Sequence, residues 1–343
     1  MNVCADYTYN KVRVGRASVK RWMLPVILLL AVVALGCQKK EKKDQPSPRR
    51  KAVKTITEYD MSGGIPQPSD KTEYTYDALN HLSEEVHYEW QGNRWSEQDK
   101  WEYTYDADNR LDQEIWYKWS GTGWEKNRRT LYIRDSNGVL QVELEQRWNG
   151  SAWEDSDRTV YEYDQNGKLI KETHQEYWGG NWQNDERYDY EYDSNGRLIR
   201  QVFCSWNSIA QAWDTEEMNE YQYSGGKLSE ITYYYYQNSS WIQDGKDTIS
   251  WDGNHICAFT YYDYDSQNQL WVLSEKTEIQ FSGGYPQTFN YYDYSGSGYD
   301  WRVEIEMLSL PGCVVLPDDS LADPFRYEQN IYYGEELNRY LGK

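Results

Sequence analysis

The chain has 343 residues with 36 basic and 56 acidic side chains, a formal net charge of −20, and it contains 17 Trp and 34 Tyr. Residues 1–54 hold 13 of the basic and 3 of the acidic residues, which leaves 23 basic and 53 acidic residues, a net charge of −30, for residues 55–343. A field of that sign repels phosphate backbones, so the composition argues against nucleic acid as a partner.

The first 36 residues have the layout of a secretory signal. Five basic residues precede an apolar stretch over residues 23–35, and small residues lead up to Cys37. This stretch is shorter than the roughly 20 residues of an ordinary membrane-spanning helix. The sequence Ala34-Leu35-Gly36-Cys37 resembles the lipobox of bacterial lipoproteins, which implies that Cys37 is lipidated and becomes the mature N-terminus. The alternative is an uncleaved anchor or a disordered leader.

Residues 37–54 are polar, contain Pro46 and Pro48, and carry eight basic residues against two acidic ones. This composition predicts a flexible basic tether, and its charge suits an anionic membrane surface. The sequence thus divides into a signal peptide (1–36), a tether (37–54), β-hairpin repeats (55–302) and an irregular C-terminal cap (303–343), where the repeat pattern is lost.

A repeat of about 29 residues governs residues 55–302. Eight tryptophans mark it, at intervals of 29, 29, 29, 31, 28, 30 and 30 residues: Trp95, Trp124, Trp153, Trp182, Trp213, Trp241, Trp271 and Trp301. A second marker keeps the same phase: Leu82, Leu111, Leu140, Leu169, Leu198 and Leu228, followed by Ile256 and Pro286. Repeats of this length predict stacked units, none of which can bury its apolar face alone.

Each unit is predicted to be two strands. Between Trp95 and Trp119 the aromatic and apolar residues fall mostly on alternate positions, which favours strand over helix. The prediction is an all-β fold: an antiparallel β-hairpin repeat array of about 16 strands in a single sheet that curls or coils until its aromatic side chains meet. One face is expected to be aromatic and the other charged.

One turn of each earlier unit has an Asp at its start and Gly or Asn at its fourth position, and later units shorten this turn to Gly225-Gly226, Gly253-Asn254 and Gly283-Gly284. The residues concerned are Asp106 and Asn109, Asp135 and Gly138, Asp164 and Gly167, and Asp193 and Gly196. Gly and Asn tolerate the left-handed conformation that such turns require, and the Asp carboxylate can accept hydrogen bonds from backbone amides within the turn. Turn formation is therefore favoured over the alternative, calcium binding.

The other turn of each unit joins two aromatic residues that we expect to face each other as a clasp. These residues are Trp90 and Trp95, Trp119 and Trp124, Trp148 and Trp153, and Tyr177 and Trp182. Aromatic cross-strand pairs contribute roughly 0.2–1 kcal/mol each. If the rings are instead exposed in a row, they could stack on glycans, so packing and glycan binding are both open.

The clasp fixes a register that places opposite charges across the hairpin. The predicted pairs are Glu85 with Lys100, Glu114 with Arg129, Glu143 with Arg158, and Glu172 with Arg187. They would lie on the outer face, where exposed pairs contribute about 0–1 kcal/mol but help to set the register. The alternative is that these charges form a binding stripe.

The turn sequences resemble the core of the RHS or YD repeat. Residues 192–198 are Tyr-Asp-Ser-Asn-Gly-Arg-Leu, and residues 163–169 and 105–111 follow the same pattern. The family builds strand-turn-strand shells on bacterial surfaces and around secreted toxins. The resemblance covers roughly residues 55–301 and implies hairpin architecture. Its usual period is shorter, and no toxin domain or self-cleaving protease motif follows the repeats, so a shell-forming function is not implied here.

The sequence offers no arrangement typical of catalysis. Four histidines are present, and His87 and His174 occupy one repeat position three units apart, which predicts no metal site, no catalytic dyad and no cofactor. His81 follows a turn and is expected to be solvated. Cys204 and Cys257 are expected to be free thiols.

The sequence therefore favours a non-enzymatic surface scaffold or adhesion lipoprotein of the bacterial outer membrane, anchored through its N-terminal lipid. Its expected partners are envelope or extracellular proteins or polysaccharide, and surface and periplasmic display are both open. A glycan-binding module that uses rows of Trp and Tyr is the alternative function.

Overall fold

The computed structural model describes residues 50–61, 65–253, 255–282, 285–294 and 301–310. They form eighteen β-strands in one sheet. The strands are β1 (Arg50–Asp60), β2 (Gln67–Tyr76), β3 (Leu82–Trp90), β4 (Trp95–Tyr105), β5 (Leu111–Trp119), β6 (Trp124–Arg134), β7 (Leu140–Trp148), β8 (Trp153–Tyr163), β9 (Leu169–Trp178), β10 (Asn181–Tyr192), β11 (Leu198–Asn207), β12 (Ala212–Ser224), β13 (Lys227–Gln237), β14 (Ser240–Asp252), β15 (His255–Asp265), β16 (Leu270–Ser282), β17 (Tyr285–Asp293) and β18 (Trp301–Leu310). The predicted signal peptide and Cys37 lie outside the described residues.

Each strand pairs antiparallel with the next strand along the chain, so the predicted all-β hairpin meander is confirmed. In addition, β1 pairs with β18 through ten residue pairs, from Arg50 opposite Leu310 to Asp60 opposite Trp301. Because β1 also pairs with β2, every strand has a partner on both sides. The first and last strands would each have an exposed edge in an open sheet. Here the backbone groups of those edges are paired with each other.

The array extends further than the sequence indicates at both ends. Strand β1 starts at Arg50, inside the predicted tether, and β18 continues to Leu310, inside the predicted cap. Two strands, β1 and β2, precede the sixteen that belong to the eight predicted hairpins. Burial of Val53 and Ile56 explains the early start of β1, and the pairing of β1 with β18 satisfies backbone groups of both strands.

The main cluster of buried hydrophobic residues lies on one face of the sheet, near the turns that precede the leucine markers. We call this the core face and define it by the leucine marker column and by Tyr132, Tyr161 and Tyr190. The exposed fractions of Leu82, Leu111 and Leu140 are only 0–2%. Tyr hydroxyls join successive units here, since Tyr105 donates to the carbonyl oxygen of Leu82 at 2.9 Å and Tyr76, Tyr163 and Tyr223 make the equivalent bonds.

The Asp-containing turns have the predicted chemistry. In the turn at Asp164, the carboxylate accepts hydrogen bonds from the amides of Asn166 and Lys168 at 2.8 and 2.9 Å, and Gly167 has a φ of 80°. The same amide contacts occur at Asp106, Asp135 and Asp193. The bond from the Lys168 amide is the main cause that holds the pKa of Asp164 below its ordinary value.

Replacing Gly167 isolates the conformational requirement of this turn, because nothing lies within 4 Å of a Cβ added there. We expect Gly167→Ala to lower the free energy of unfolding by about 1–2 kcal/mol, the cost of a left-handed residue with a Cβ. Gly167→Asn should cost less, since Asn109 holds a φ of 62° at the same position. Urea denaturation measures both; equal losses for Ala and Asn would contradict this explanation.

Candidate functional site

The aromatic clasps form at the turns where the sequence places them. Trp90 lies opposite Trp95 in the strand register, and their ring centroids are 5.0 Å apart at an interplanar angle of 63°. Similar geometry recurs in six further pairs: Trp119–Trp124, Trp148–Trp153, Tyr177–Trp182, Trp206–Trp213, Tyr236–Trp241 and Tyr264–Trp271. We call the face that carries these pairs the clasp face. Trp95, Trp124, Trp153 and Trp182 are half-buried on it.

A cation from the preceding hairpin covers one side of most of the second clasp rings. The Arg129 guanidinium lies 5.0 Å from the Trp153 centroid, and the Arg158 guanidinium lies 4.5 Å from that of Trp182. Equivalent contacts join Lys71 to Trp95, Lys100 to Trp124, Arg187 to Trp213 and Lys246 to Trp271. Each is a cation–π contact between successive units. These rings are therefore less open to a stacking ligand than the glycan interpretation requires.

The predicted Glu–cation pairs are wrong by one residue. In β7 and β8, Arg158 lies opposite Leu144 and Glu143 lies opposite Thr159. The same shift separates Glu85 from Lys100, Glu114 from Arg129, and Glu172 from Arg187. The cause is a β-bulge between each clasp and the expected pair, because an extra residue such as Ser156 in β8 displaces the register by one.

A one-residue shift in a strand moves a side chain to the other face. The predicted Glu column therefore lies on the core face, and the predicted cation column lies on the clasp face. Arg129 and Arg158 donate instead to Gln146 and Gln175 of the next strand, at 2.6 and 2.7 Å. Two other predicted cations form ion pairs on their own face, Lys100 with Glu84 at 3.6 Å and Arg187 with Asp189 at 2.7 Å.

The expectation of one aromatic and one charged face is also wrong. A second bulge follows each Asp-containing turn, for example at Asp112 in β5, where Leu111 lies opposite Tyr105 and Gln113 lies opposite Thr104. Two bulges per unit divide the aromatic residues between the faces. Near the Asp-containing turns the leucines and tyrosines occupy the core face, and near the other turns the aromatic pairs occupy the clasp face.

The core face holds alternating Tyr and Glu side chains on successive strands. Tyr103 lies opposite Glu114, Tyr132 opposite Glu143, and Tyr161 opposite Glu172. The exposed fraction of Glu172 is only 4% and that of Glu143 is 9%. A buried carboxylate is costly unless hydrogen-bonded, and the Tyr161 hydroxyl donates to Glu143 at 2.7 Å. We call this row the Glu–Tyr ladder.

The ladder changes the pKa of Glu85, which accepts a hydrogen bond from the Tyr103 hydroxyl. Burial raises the pKa of Glu85 to about 7. The hydrogen bond from Tyr103 acts in the opposite direction, and the charge of Glu114 adds to the rise. The ladder ends where the sequence replaces Glu with Gln201, which accepts a hydrogen bond from Asn219 at 2.8 Å, and then with Ile231 and Phe259.

His81, His87 and His174 are engaged in separate contacts. His81 is 5% exposed, stacks on Tyr105 with ring centroids 4.7 Å apart, and lies 3.0 Å from Asp77, so the expectation that it is solvated is wrong. His87 lies 3.4 Å from Asp70, whereas His174 contacts Thr159. Within the described part of the chain, no group of three or more His, Cys, Asp or Glu side chains could hold a metal ion. Cys204 and Cys257 are free thiols.

A feature that the sequence analysis missed lies at the clasp turns of β9–β16. Trp178, in the turn between β9 and β10, is 74% exposed, and Ile209 in the next clasp turn is 96% exposed. Their neighbours in the row include Leu270, which is 59% exposed. The signal was available, because the position of Trp178 is occupied by Gln91, Ser120 and Asn149 in earlier units.

Comparisons with known proteins give weak similarities only. No protein-family model and no curated protein matches the chain. Among solved structures, a protein of unknown function from Bacteroides fragilis is 18% identical, with a TM-score of 0.32 over 35% of this chain and 91% of its own. A porin-like protein from Bacteroides uniformis is 11% identical, with a TM-score of 0.32 over 75% of this chain and 98% of its own.

A third similarity is to the Tc holotoxin pore of Photorhabdus luminescens, at 12% identity and a TM-score of 0.28, covering 66% of this chain and 14% of the toxin chain. TM-scores this low do not establish a common fold, so the fold assignment rests on the strand register. No helix long and apolar enough to cross a membrane occurs among the described residues.

A double-mutant cycle tests the partner of Arg158. With Arg158→Ala and Trp182→Leu, we expect a coupling free energy of about 0.5–1 kcal/mol, typical of an exposed cation–π contact. The matched cycle of Arg158→Ala with Glu143→Gln, the partner expected from the sequence, should give a coupling near zero because these side chains lie on opposite faces. Urea denaturation of the variants measures both couplings. Coupling to Glu143 and none to Trp182 would restore the register expected from the sequence.

Stability should depend on pH through Glu85. The unfolded carboxyl has a pKa of about 4.5 and the folded one about 7, so between these values the folded state binds more protons. The free energy of unfolding should therefore fall as pH rises from 4.5 to 7, by at most about 1.4 kcal/mol per pH unit for one group. Glu85→Gln should flatten this dependence, measured by urea denaturation at several pH values.

The exposed Glu89, on the same strand, provides the control. Glu89→Gln should keep the wild-type pH dependence. If Glu85→Gln leaves the dependence unchanged as well, burial does not control the protonation of the ladder.

Proposed function

We propose that this chain is a non-enzymatic scaffold of the bacterial cell envelope, held at the membrane by a lipid on Cys37 and presenting its hairpin array to other macromolecules. The observation that carries the proposal is that most recurring side chains make contacts within the array itself. The Asp carboxylates bind their own turns, Arg129 and Arg158 cover clasp tryptophans, and the Tyr103 and Tyr161 hydroxyls bind ladder carboxylates.

The non-enzymatic part of the proposal follows from the use of the carboxyl groups. Glu143 and Glu172 are the most deeply buried of the ladder, and their strands hold them against Tyr132 and Tyr161. General acid–base catalysis needs a carboxyl within hydrogen-bond reach of a substrate. Groups enclosed in this way are positioned to specify the fold rather than to meet a substrate.

The envelope part of the proposal rests on the N-terminal sequence. The lipobox-like residues 34–37 and the basic tether would place the array next to a membrane, and the resemblance of the turns to YD repeats supports a surface or periplasmic role. The acidic array, with its net charge of −30, would extend away from anionic lipids because like charges repel.

Glycan binding is the second candidate, and solvent exposure favours other residues for it than the clasp rings. The clasp rings proposed for stacking, such as Trp153 and Trp182, are half-buried and have cations against one side. Solvent exposure instead favours the neighbouring turns as a glycan-binding site, because Trp178 there is 74% exposed.

Anchoring can be tested directly with Cys37→Ser. Because the lipid would be the membrane attachment, we expect the variant to move from the membrane fraction to the soluble fraction and mass spectrometry to show no acyl groups. Cys204→Ser, which alters a buried thiol of the array, is the control and should stay with the membrane. A Cys37→Ser protein that remains membrane-bound would contradict the anchor, and protease shaving of intact cells would show which side the array occupies.

A further inference from the structure

Three of the four consecutive clasp turns from β9 to β16 expose a large apolar side chain, and the fourth, at residues 237–240, is polar. The most exposed are Ile209 at 96%, Trp178 at 74% and Leu270 at 59%. Tyr177, Tyr236 and Val272 are 40%, 41% and 49% exposed beside them. We call this row the late rim and define it by the turns at residues 178–181, 207–212, 237–240 and 265–270.

The earlier clasp turns provide an internal comparison. They lie at residues 91–94, 120–123 and 149–152, and they contain Gln, Gly, Asn, Arg, Ser, Thr and Ala but no large apolar residue. The clasps at the two sets of turns have the same geometry, since the ring centroids are 5.1 Å apart at Trp148–Trp153 and 5.0 Å apart at Tyr236–Trp241. A hairpin of this kind therefore folds without exposed apolar residues at its tip, and those of the late rim are not required by the clasp.

The late rim is a row and not a scattered set. In an antiparallel meander all clasp turns lie along one end of the sheet, and adjacent strands are about 4.8 Å apart, so successive hairpin tips are about 9.5 Å apart. Trp178, Ile209 and Leu270 are therefore on one line, with the turn at residues 237–240 between the last two. An exposed apolar row on a stable sheet is typical of an interaction site.

The polar groups of the late rim limit the kind of partner. The four tips contain Asn, Gln, Ser, Gly and one Asp, and residues 201–217, 228–245 and 259–275 contain no Lys or Arg. In contrast, Arg94, Lys118 and Arg147 lie in or beside the earlier clasp turns. Carboxylates such as those of Asp214, Asp244 and Asp265 remain near the late tips, so an anionic partner would be repelled.

Hydroxyl-rich, uncharged chains match this chemistry. Amide and hydroxyl side chains both donate and accept hydrogen bonds, as sugar hydroxyls do, and an open indole offers a flat apolar surface to the C–H side of a sugar ring. A regular spacing of contact points suits a polymer of repeating units. The four tips contain no Lys or Arg, so they offer no positive charge of their own to acidic lipids or to nucleic acid.

We propose that the late rim binds a neutral polysaccharide, with Trp178 as the main stacking residue and Ile209 and Leu270 as flanking apolar contacts. This inference rests on the proposed function in treating the array as an interaction scaffold, and it names the partner. The bound chain would run along the tips, across successive hairpins, and the half-buried clasp tryptophans would support the turns without touching the sugar.

Native gel electrophoresis of the full chain, purified in a non-ionic detergent, tests this binding. Gels containing dextran, galactomannan, xyloglucan or β-glucan are compared with gels without polysaccharide. We expect at least one of these neutral polymers to retard the protein. Trp178→Ala should weaken that retardation at least tenfold, and Trp178→Ala combined with Ile209→Ser and Leu270→Ser should abolish it.

The control is Ser120→Ala, which changes the position equivalent to Trp178 in the turn between β5 and β6, and it should bind as the wild type does. Because Trp178 and Ile209 project into solvent, the thermal midpoints of their variants should equal that of the wild type, which separates lost binding from lost folding.

Three results would overturn the proposal: no retardation by any of the polymers, retardation that the triple variant keeps, or Trp178-dependent binding to phosphatidylcholine vesicles without retardation in the gels. None of these results affects membrane anchoring by Cys37. Conversely, a chain that binds polysaccharide at the late rim but is not lipidated would contradict the anchor and leave the rim assignment standing.

Discussion

One extra residue in the second strand of each clasp hairpin decides which side chains share a face. The unpaired residue lies three positions after the clasp Trp in seven successive hairpins, and it is polar in all of them: Gln98, Asn127, Ser156, Asp185, Glu216, Asp244 and Ser274. A bulge increases the local twist and bends the strand. This bulge occurs once per unit, and a second bulge follows each Asp-containing turn. Successive units therefore distribute their side chains between the two faces in the same way.

That distribution places two kinds of contact on opposite faces of the sheet. On the clasp face, Arg129 and Arg158 bridge successive hairpins through tryptophan and glutamine, where partial exposure keeps their charges hydrated. On the core face, Tyr hydroxyls hold the buried Glu side chains, and charge-assisted hydrogen bonds offset part of the cost of burial. The leucine marker column, from Leu82 to Leu228, supplies much of the apolar burial.

Much of this architecture could be predicted from the sequence, because the period, the Asp/Gly turns and the aromatic partners are local signals. The Trp90–Trp95 pair, for instance, follows from the turn alone. The face on which each side chain lies could not be predicted. A strict alternation across Trp95–Tyr105 assumes that every residue is paired, whereas Gln98 is unpaired. The polar column three residues after each Trp was the available clue. The pairing of β1 with β18 is a long-range contact, and no local pattern in residues 50–60 predicts it.

The late rim illustrates where sequence repetition is most informative about binding. Residues that keep the period are engaged in the fold, whereas Trp178 departs from the polar residues at its position and is exposed. A constant geometry at the clasp, at Tyr177–Trp182 as at Trp148–Trp153, lets the tip vary without disturbing the sheet. Scaffold and binding functions can therefore be carried by different residues of the same hairpin.

The bulge-shifted register is tested most directly by disulfide trapping in a background without other cysteines. Directly opposed strand residues have Cα atoms within disulfide range, whereas residues on opposite faces have diverging Cβ atoms. We predict that Leu144→Cys with Arg158→Cys forms a disulfide readily under mild oxidation and that Glu143→Cys with Arg158→Cys does not. Efficient crosslinking of the second pair, with none in the first, would contradict the bulge and the assignment of Glu and Arg to opposite faces.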